Sequence, residues 1–315
     1  MISAVIPVYN EEESLRLFHV TLTKSLEKDF PSYEIIYIDD GSTDSSLKIL
    51  KEFEAENSRV KIISFRKNKG KAEALTAGFK EAKGDFIVTL DADLQDRPEE
   101  IFKLAEKQKE GFDLVSGWRK DRKDSFKTVI SSKLFNFIMK ILWGVKMHDY
   151  NCGLKLYSKE AAKTLNLYGG MHRFIPLLVW EKGFSVAEVE VKHEERKLGK
   201  TKYGFSKIFK DLPDIFTILF ISKYSKKPLH FFGIAGGLSA ALGFLIITYL
   251  SILHFLGEDI LRPLLTFGVL FILAGFQIFF TGILADLILH ISKTSSESSF
   301  DKDIKYKTKN EKNLS

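Results

Sequence analysis

The chain has 315 residues, 45% of them hydrophobic and 28% charged, and its net charge is +6. Its single cysteine excludes an intrachain disulfide bond, and its basic residues are scattered among acidic ones, so we expect no nucleic-acid partner. Met1 to Val8 is too short an apolar run for a signal peptide and is followed by Glu11 to Glu13, so we expect no leader. Charged and apolar segments alternate up to about Lys227, whereas Pro228 to Ile291 is almost entirely apolar.

Five apolar runs in the first part of the chain predict β-strands, and helical spacing of apolar residues separates them. The predicted strands are, in chain order, residues 3–10 (running into a loop), 33–38, 60–65, 86–90 and 113–117. Alternating strands and helices predict an α/β fold with a parallel sheet and right-handed crossovers. Ligands bind such sheets at the carboxyl ends of the strands, where polar residues are concentrated here. No Gly-x-Gly-x-x-Gly follows the first strand and no Walker A sequence is present, which argues against dinucleotide and P-loop sites.

The fourth predicted strand ends in Asp91 and Asp93, with Gln95 and Asp96 just beyond. Alternation along an extended chain places the side chains of Asp91 and Asp93 on the same side. Two carboxylates and an amide oxygen suit a hard divalent cation that also binds phosphates. The alternative is a solvated acidic turn that precedes the helix opened by Pro98.

The second predicted strand leads into Asp39-Asp40-Gly41-Ser42-Thr43-Asp44. We expect the chain to turn at Gly41 and the next helix to be capped by Ser42, Thr43 or Asp44. A structural alternative exists for these loops, because Asp39 and Asp44 can serve as caps and Asn68 can serve as a turn residue.

Four motifs, in matching order, resemble glycosyltransferase family 2. They are Val5-Ile6-Pro7-Val8-Tyr9-Asn10-Glu11, Asp39 to Asp44, Asn68-Lys69-Gly70-Lys71, and Asp91-Ala92-Asp93-Leu94-Gln95-Asp96. More narrowly, the chain resembles the dolichol-phosphate mannosyltransferase and bacterial polyprenyl-phosphate glycosyltransferase branch, over roughly residues 1–210. The resemblance implies a GT-A catalytic domain, which is Rossmann-like with a mostly parallel sheet, a UDP- or GDP-linked sugar donor, and Mg²⁺ or Mn²⁺.

The resemblance also assigns residues by position. The donor nucleotide would be bound by Pro7, Tyr9, Asn10, Glu11, Asp39, Asp40, Asn68, Lys71, Asp91 and Ala92. The metal would be bound by Asp91, Asp93 and Gln95. The catalytic group would comprise Asp93, Asp149 and Arg119. The acceptor phosphate would be bound by Arg119, Arg122, Lys133, Arg196 and Lys202.

The middle of the chain has structural alternatives for each expected role. The basic residues of Trp118 to Lys123 could hold the acceptor phosphate or form a solvated loop. Phe126 to Val145 predicts an amphipathic helix whose apolar face could belong to the core or lie at the membrane surface. Asp149, in a family motif that runs to Leu156, is expected to position groups as much as to transfer protons, because a lipid phosphate is already anionic. His172 could equally be a structural histidine, and residues 193–203 could close over the pyrophosphate or form a flexible surface loop.

The carboxy-terminal part predicts membrane attachment. Residues 203–227 form an amphipathic segment suited to the membrane interface. Two apolar segments, about 231–256 and 264–289, each exceed the roughly 20 residues needed to span a bilayer. The loop between them, Gly257 to Arg262, is short, so we expect a helical hairpin, and residues 294–315 are expected to be disordered. Small residues in Gly233 to Gly237 and at Gly275 permit close helix packing, within or between subunits.

Lysines precede and follow the predicted hairpin, whereas its connecting loop carries a single arginine. By the positive-inside rule, both termini and the catalytic domain are expected in the cytoplasm, at a cell (inner or plasma) membrane that the chain crosses twice.

These features together predict an inverting, membrane-bound transferase. It would move a hexose from a nucleotide sugar to polyprenyl (undecaprenyl or dolichyl) phosphate, and the family resemblance leaves a homo-oligomer open. One alternative is a polysaccharide synthase with a saccharide acceptor, although the Gln-x-x-Arg-Trp motif of such enzymes is absent. The other is a non-catalytic membrane scaffold, against which the intact Asp91-Ala92-Asp93 argues.

Overall fold

The computed structural model describes residues 1–120, 144, 147–194, 227–257 and 262–294. The predicted amphipathic helix over 126–145, the interfacial segment and the carboxy-terminal tail therefore lie almost wholly outside the described residues. The chain divides into two compact units, Met1–Ile218 and Leu219–Ser315.

Within the described residues, the first unit contains a mixed sheet of seven strands. These are β1 (Ile2–Val8), β2 (Tyr33–Asp39), β3 (Val60–Ser64), β4 (Phe86–Thr89), β5 (Leu114–Trp118), β6 (Lys155–Ser158) and β7 (Val186–Glu190). The strand order is β3-β2-β1-β4-β6-β5-β7. Strand β6 runs antiparallel to both of its neighbours, and the other pairs are parallel. The predicted α/β fold with a mostly parallel sheet is confirmed.

The helices of this unit cover the two faces of the sheet. They are α1 (Leu15–Asp29), α2 (Ser46–Glu56), α3 (Lys71–Glu81), α4 (Ile101–Gln108), α5 (Lys159–Lys163) and α6 (Ile175–Glu181). Short 3₁₀ helices, Pro98–Glu100 and Gly169–Phe174, precede α4 and α6. The chain turns at Gly41 with φ of +70°, as expected. The expected cap of α2 is wrong by one residue: Ser45 occupies the cap position, and Asp44 Oδ1 accepts a hydrogen bond from the Ser46 N–H at 2.9 Å.

The core forms where helix-spaced apolar side chains meet a sheet that is buried on both faces. Every residue of β2 is buried, which fits a central parallel strand covered by helices. Helix α1 contributes Leu15, Phe18, Leu22 and Leu26, all completely buried. Their spacing of three and four residues puts them on one face, and each contributes about 1.5–3 kcal/mol of burial free energy.

The second unit contains two long apolar helices, α7 (Pro228–Phe255) and α8 (Arg262–Thr294). Their most apolar stretches, Pro228–Phe255 and Pro263–Ile288, have mean hydropathies of 2.0 and 2.2, which is enough to cross a membrane. Most of their side chains face outward, unlike those of a core helix in a soluble protein. The predicted hairpin is confirmed, and these helices indicate a membrane protein.

Small residues allow α7 and α8 to pack with their backbones close together. A Cβ at Gly236 would lie 2.6 Å from the Gly275 carbonyl oxygen, and one at Gly243 would lie 2.6 Å from that of Gly268. Ser239 Oγ donates a hydrogen bond to the Phe271 carbonyl oxygen at 2.9 Å. The close packing predicted for Gly236 and Gly275 is therefore found within the hairpin, and Gly243 and Gly268 add a second contact that was not predicted.

We predict that Gly236→Ala weakens this helix pair by about 1–3 kcal/mol, because the added methyl group forces the two backbones apart. Thermal unfolding in detergent, together with disulfide cross-linking of engineered cysteine pairs across α7 and α8, measures the effect. Gly237→Ala is the matched control, because a Cβ at Gly237 has nothing within 4 Å and alanine favours the helix. Equal losses in the two variants would contradict the assigned interface.

Candidate active site

Polar loops from several strands meet at one edge of the sheet. Strands β1, β2, β4 and β5 are parallel, so their carboxyl ends lie at this edge. Because β6 runs in the opposite direction, its beginning lies at the same edge, and it brings the segment from Asp149 to Lys155 there. Of the predicted donor, metal and catalytic residues that the structure describes, Pro7 lies in β1, Asp39 ends β2 and Lys71 begins α3. The others lie on these loops or in the loop after β3.

The first two loops are fastened to each other by side-chain hydrogen bonds. Asn10, at a φ of +53°, accepts a hydrogen bond from the Thr43 N–H through Oδ1 at 2.8 Å. Its own N–H donates to Ser42 Oγ at 3.1 Å, and Glu12 accepts from the Ser45 N–H at 2.9 Å. The predicted donor residue Asn10 thus already joins two loops, and the neighbouring Tyr9 and Glu11 are carried by the same loop.

Asp39 and Asp40 are both buried and already hydrogen-bonded. Asp39 accepts from the Ser42 N–H at 3.1 Å and from Ser64 Oγ at 2.7 Å. Asp40 accepts from the backbone N–H groups of Lys69 at 2.7 Å and Gly70 at 2.9 Å. Burial raises the pKa of Asp40 above the ordinary range, against the effect of these two donors. Asp40 therefore fixes the loop that carries the exposed Asn68 and delivers Lys71 to the start of α3.

Lys71 reaches across the site to Asp91, with Nζ 2.5 Å from Oδ1. Burial by itself disfavours both charges, but each partner stabilises the other: the pKa of Asp91 is lowered and the pKa of Lys71 is raised. Both groups are therefore charged at neutral pH. Ala92, next to Asp91, is buried.

The acidic loop folds back on itself after Asp91. Leu94 has a φ of +63°, and the Gln95 N–H donates to Asp93 Oδ1 at 3.2 Å. Asp91, Asp93 and Gln95 are all partly exposed. They supply oxygen atoms only, which is the donor set that Mg²⁺ and Mn²⁺ accept. Among the described residues no three His, Cys, Asp or Glu side chains form a metal cluster, so a cation held here needs further ligands from a phosphate or water.

Arg119 and Asp149 form a buried two-point ion pair. Arg119 Nε donates to Asp149 Oδ2 at 2.7 Å and Nη2 donates to Oδ1 at 3.0 Å, with side-chain exposures of 10% and 4%. The Asn151 N–H donates to Asp149 at 3.1 Å, and the Asp149 N–H donates to Glu188 Oε1 at 2.9 Å. Both carboxylate oxygens of Asp149 accept from the guanidinium, so the pair holds Arg119 in a fixed orientation.

Gly153 brings the β6 loop against the acidic loop. A Cβ at this position would lie 2.5 Å from Asp96 Oδ2 and 2.8 Å from Asp91 Oδ2, so a larger residue would force these carboxylates to move. Asp96 is itself buried beside His193, with Oδ1 3.6 Å from Nδ1. The Glu194 N–H donates to the Gln95 carbonyl oxygen at 3.0 Å, which ties the chain after β7 to the acidic loop.

The sequence predicted no role for Gly153, Asp96 or Lys155. All three nevertheless lie within family motifs, Asp96 in Asp91 to Asp96 and the other two in Asp149 to Leu156. A single sequence does not separate such packing positions from their neighbours. Of the other predicted residues, Pro7 lines the floor of the site near Asp91. The predicted phosphate-binding residues Arg122, Lys133, Arg196 and Lys202 lie outside the described residues.

We predict that Asp149→Asn destabilises the protein by about 3–5 kcal/mol, because Arg119 is left buried without its counter-charge. The double variant Arg119→Met/Asp149→Leu should lose less stability than either single change, while losing activity. Thermal unfolding in detergent measures this, with Glu190→Gln as the control, since the Lys120–Glu190 pair is 55% and 52% exposed. A double variant less stable than both singles would argue against this account.

Comparison with known proteins places these features in a family. The sequence pattern of Glycosyl transferase family 2 matches residues 3–165. The dodecaprenyl-phosphate galacturonate synthase of Rhizobium johnstonii is 38% identical over 296 residues, covering 91% of this chain and 87% of that protein. The undecaprenyl-phosphate 4-deoxy-4-formamido-L-arabinose transferase of Shewanella sediminis is 38% identical over 295 residues, covering 91% and 86%.

Solved structures support the fold assignment. The glucosyl-3-phosphoglycerate synthase of Mycobacterium tuberculosis, crystallised with Mn²⁺, UDP-glucose and phosphoglyceric acid, superposes with a TM-score of 0.53 at 19% sequence identity. The superposition covers 70% of this chain and 79% of that one. At this identity the likeness concerns the GT-A-like fold alone. The family match and the curated relatives, and not this structural likeness, show that the chain belongs to glycosyl transferase family 2, in the branch that contains these polyprenyl-phosphate sugar transferases.

Proposed function

We propose that the protein transfers a hexose from a UDP- or GDP-linked donor to polyprenyl phosphate, with inversion at the anomeric carbon. The observation that carries this proposal is the pairing of two charge systems at one sheet edge. Lys71, Asp91 and Asp93 form one, and the buried Arg119–Asp149 pair forms the other. The first suits the diphosphate of a nucleotide sugar, and the second suits an anionic acceptor. The sugar transferases among the curated relatives support the same reaction class.

On the donor side, Lys71 and the acidic loop would bind the diphosphate. Lys71 starts α3, so the helix N-terminus and the ammonium both favour a negative group at this point. Asp91, Asp93 and Gln95 would hold Mg²⁺ or Mn²⁺ against the same phosphates. When bound, such an ion stabilises the negative charge that develops on the departing nucleoside diphosphate.

On the acceptor side, Arg119 would bind the lipid phosphate. A guanidinium carries five N–H donors. Asp149 accepts from one donor on Nε and one on Nη2, so three N–H donors remain for a phosphate oxygen. A phosphate oxygen would attack the anomeric carbon, forming the new carbon–oxygen bond as the bond to the donor diphosphate breaks. The electron pair of that bond leaves with the nucleoside diphosphate. No proton has to be removed from the nucleophile, which is consistent with Asp149 being fully engaged in its ion pair.

The apolar hairpin supports a lipid acceptor. A transferase for a soluble sugar has no need of two helices of membrane-spanning length, whereas a membrane-embedded acceptor must be met at the bilayer surface. The alternative hypotheses are a transferase with a saccharide acceptor and a non-catalytic membrane scaffold, and a donor screen separates both from this proposal.

The first test is a donor screen with purified protein in detergent, polyprenyl phosphate, Mn²⁺ or Mg²⁺, and radiolabelled UDP- and GDP-sugars. We expect label to enter the organic phase with one donor, and EDTA to abolish this transfer. Asp93→Ala should reduce transfer at least about 100-fold, because a ligand of the charge-stabilising ion is lost. Glu99→Gln, a change to an exposed acid on the neighbouring 3₁₀ turn, is the matched control. Transfer of the label to soluble sugars would favour the hypothesis of a saccharide acceptor. No turnover by folded protein would favour the hypothesis of a non-catalytic scaffold.

The proposed topology makes a separate prediction. The positive-inside rule places both termini in the cytoplasm, so a reporter fused after Ser315 should be cytoplasmic and one inserted after Gly257 should be on the opposite side. Paired reporters, one active only in the cytoplasm and one only outside it, measure this. A reporter after Ser315 found outside the cytoplasm would contradict the double crossing.

A further inference from the structure

A small pocket lies under Asp91, at the floor of the site. Its walls include Lys71 and Asp91, the backbone at Gly153, and the side chains of Lys155 and His172. Its volume is about 10 Å³, which accommodates one water-sized group and no sugar ring. Neither Lys155 nor His172 has a role in the transfer described above.

Lys155 carries a buried ammonium group, and the stability of the fold does not explain why a charged group is there. It is 3% exposed on β6, between β4 and β5, and its ammonium donates to the carbonyl oxygen of Cys152. Among the described residues, no carboxylate forms an ion pair with it. Burial lowers the pKa of Lys155 to about 8, which reflects the cost of keeping the charge there. A methionine would fill a similar space without that cost.

His172 is another polar residue that lines the same pocket. Its Nδ1 is buried and has no hydrogen-bond partner among the described residues. Burial lowers the pKa of His172 to about 3, so the ring is neutral, and Nδ1 can donate or accept according to the tautomer. A buried polar atom without a partner costs free energy, which a ligand atom in the pocket would recover.

We propose that Lys155 and His172 read one hydroxyl group of the transferred sugar, and thereby determine donor specificity. This inference rests on the proposed function, since Lys71 and Asp91 would place the donor diphosphate at the mouth of the pocket. The group nearest to the pocket is then the sugar attached to that diphosphate. Its ring stays at the mouth, and a single oxygen enters. There it accepts a hydrogen bond from the Lys155 ammonium and forms another with His172 Nδ1.

Binding measurements test this proposal apart from turnover. Isothermal titration calorimetry of the full chain in detergent with Mn²⁺ would compare UDP or GDP with sugar nucleotides, including UDP-glucose, UDP-galactose, UDP-galacturonate and GDP-mannose. We expect Lys155→Met and His172→Phe to leave the affinity for the unglycosylated nucleotide unchanged. The affinity for the preferred sugar nucleotide should fall by about tenfold or more, and discrimination between epimeric sugars should shrink.

Matched variants separate a reading role from a structural one. His172→Asn keeps a polar atom near the position of Nδ1 and should retain most of the discrimination. Lys163→Met removes an exposed lysine that also donates to a backbone carbonyl, that of Lys80, and should change nothing. Lys155→Met should unfold at the same temperature as the parent chain or higher, so it carries the test even where His172→Phe fails to fold.

Two outcomes would overturn the proposal while leaving the proposed function intact. One is a parallel loss of affinity for the nucleotide and the sugar nucleotide, which would mean that the pocket reads a phosphate oxygen. The other is unchanged discrimination in both variants. A parent chain that binds none of the sugar nucleotides would overturn the proposed function together with this inference.

Discussion

The site depends on how the protein neutralises the carboxylates that the sheet gathers at one edge. Backbone N–H groups, a hydroxyl, an ammonium, a guanidinium and a nearby histidine ring surround these acids. The acids are the buried Asp39, Asp40, Asp96 and Asp149 and the partly exposed Asp91. A cation arriving alone would compete with Lys71 for Asp91, and a diphosphate arriving alone would meet acidic side chains. In a complex of the two, the positive charge of the cation and the negative charge of the diphosphate nearly cancel. The charges of the site therefore favour entry of the cation and the diphosphate as a complex.

The strands of the first half of the chain were predictable because their hydrophobic runs are long and their loops carry strong turn residues. Strands β6 and β7 were not. Strand β6 has four residues and begins with Lys155, and β7, with the sequence Val-Ala-Glu-Val-Glu, carries two glutamates in five residues, as a surface strand would. Both gain their stability from neighbours that lie far away in the sequence, and a local pattern does not contain that information.

The site was predictable to the extent that its residues follow strands directly. Asp39, Asp40, Asp91 and Asp93 were expected at one edge and lie there. The sequence did not reveal which acids of the site already have hydrogen-bond or ion-pair partners within the protein. Asp40 is occupied in fixing a loop and Asp149 in orienting an arginine, and both facts follow from distances between segments that only the fold brings together. The same reason hides Lys155, because a lysine at the start of a short strand is expected on the surface.

The position of β6 also has a consequence for the order of events during synthesis. Its two neighbours in the sheet, β4 and β5, both precede it in the chain, so the sheet contains a gap until residues 155–158 emerge from the ribosome. Until then β4 and β5 present unpaired edges, and edges of this kind invite pairing with other chains. The strand that closes the gap also carries the floor of the site. Closure of this gap and placement of Lys155 at the floor of the site are therefore one event in the folding of the nascent chain, and β7 pairs with β5 only later.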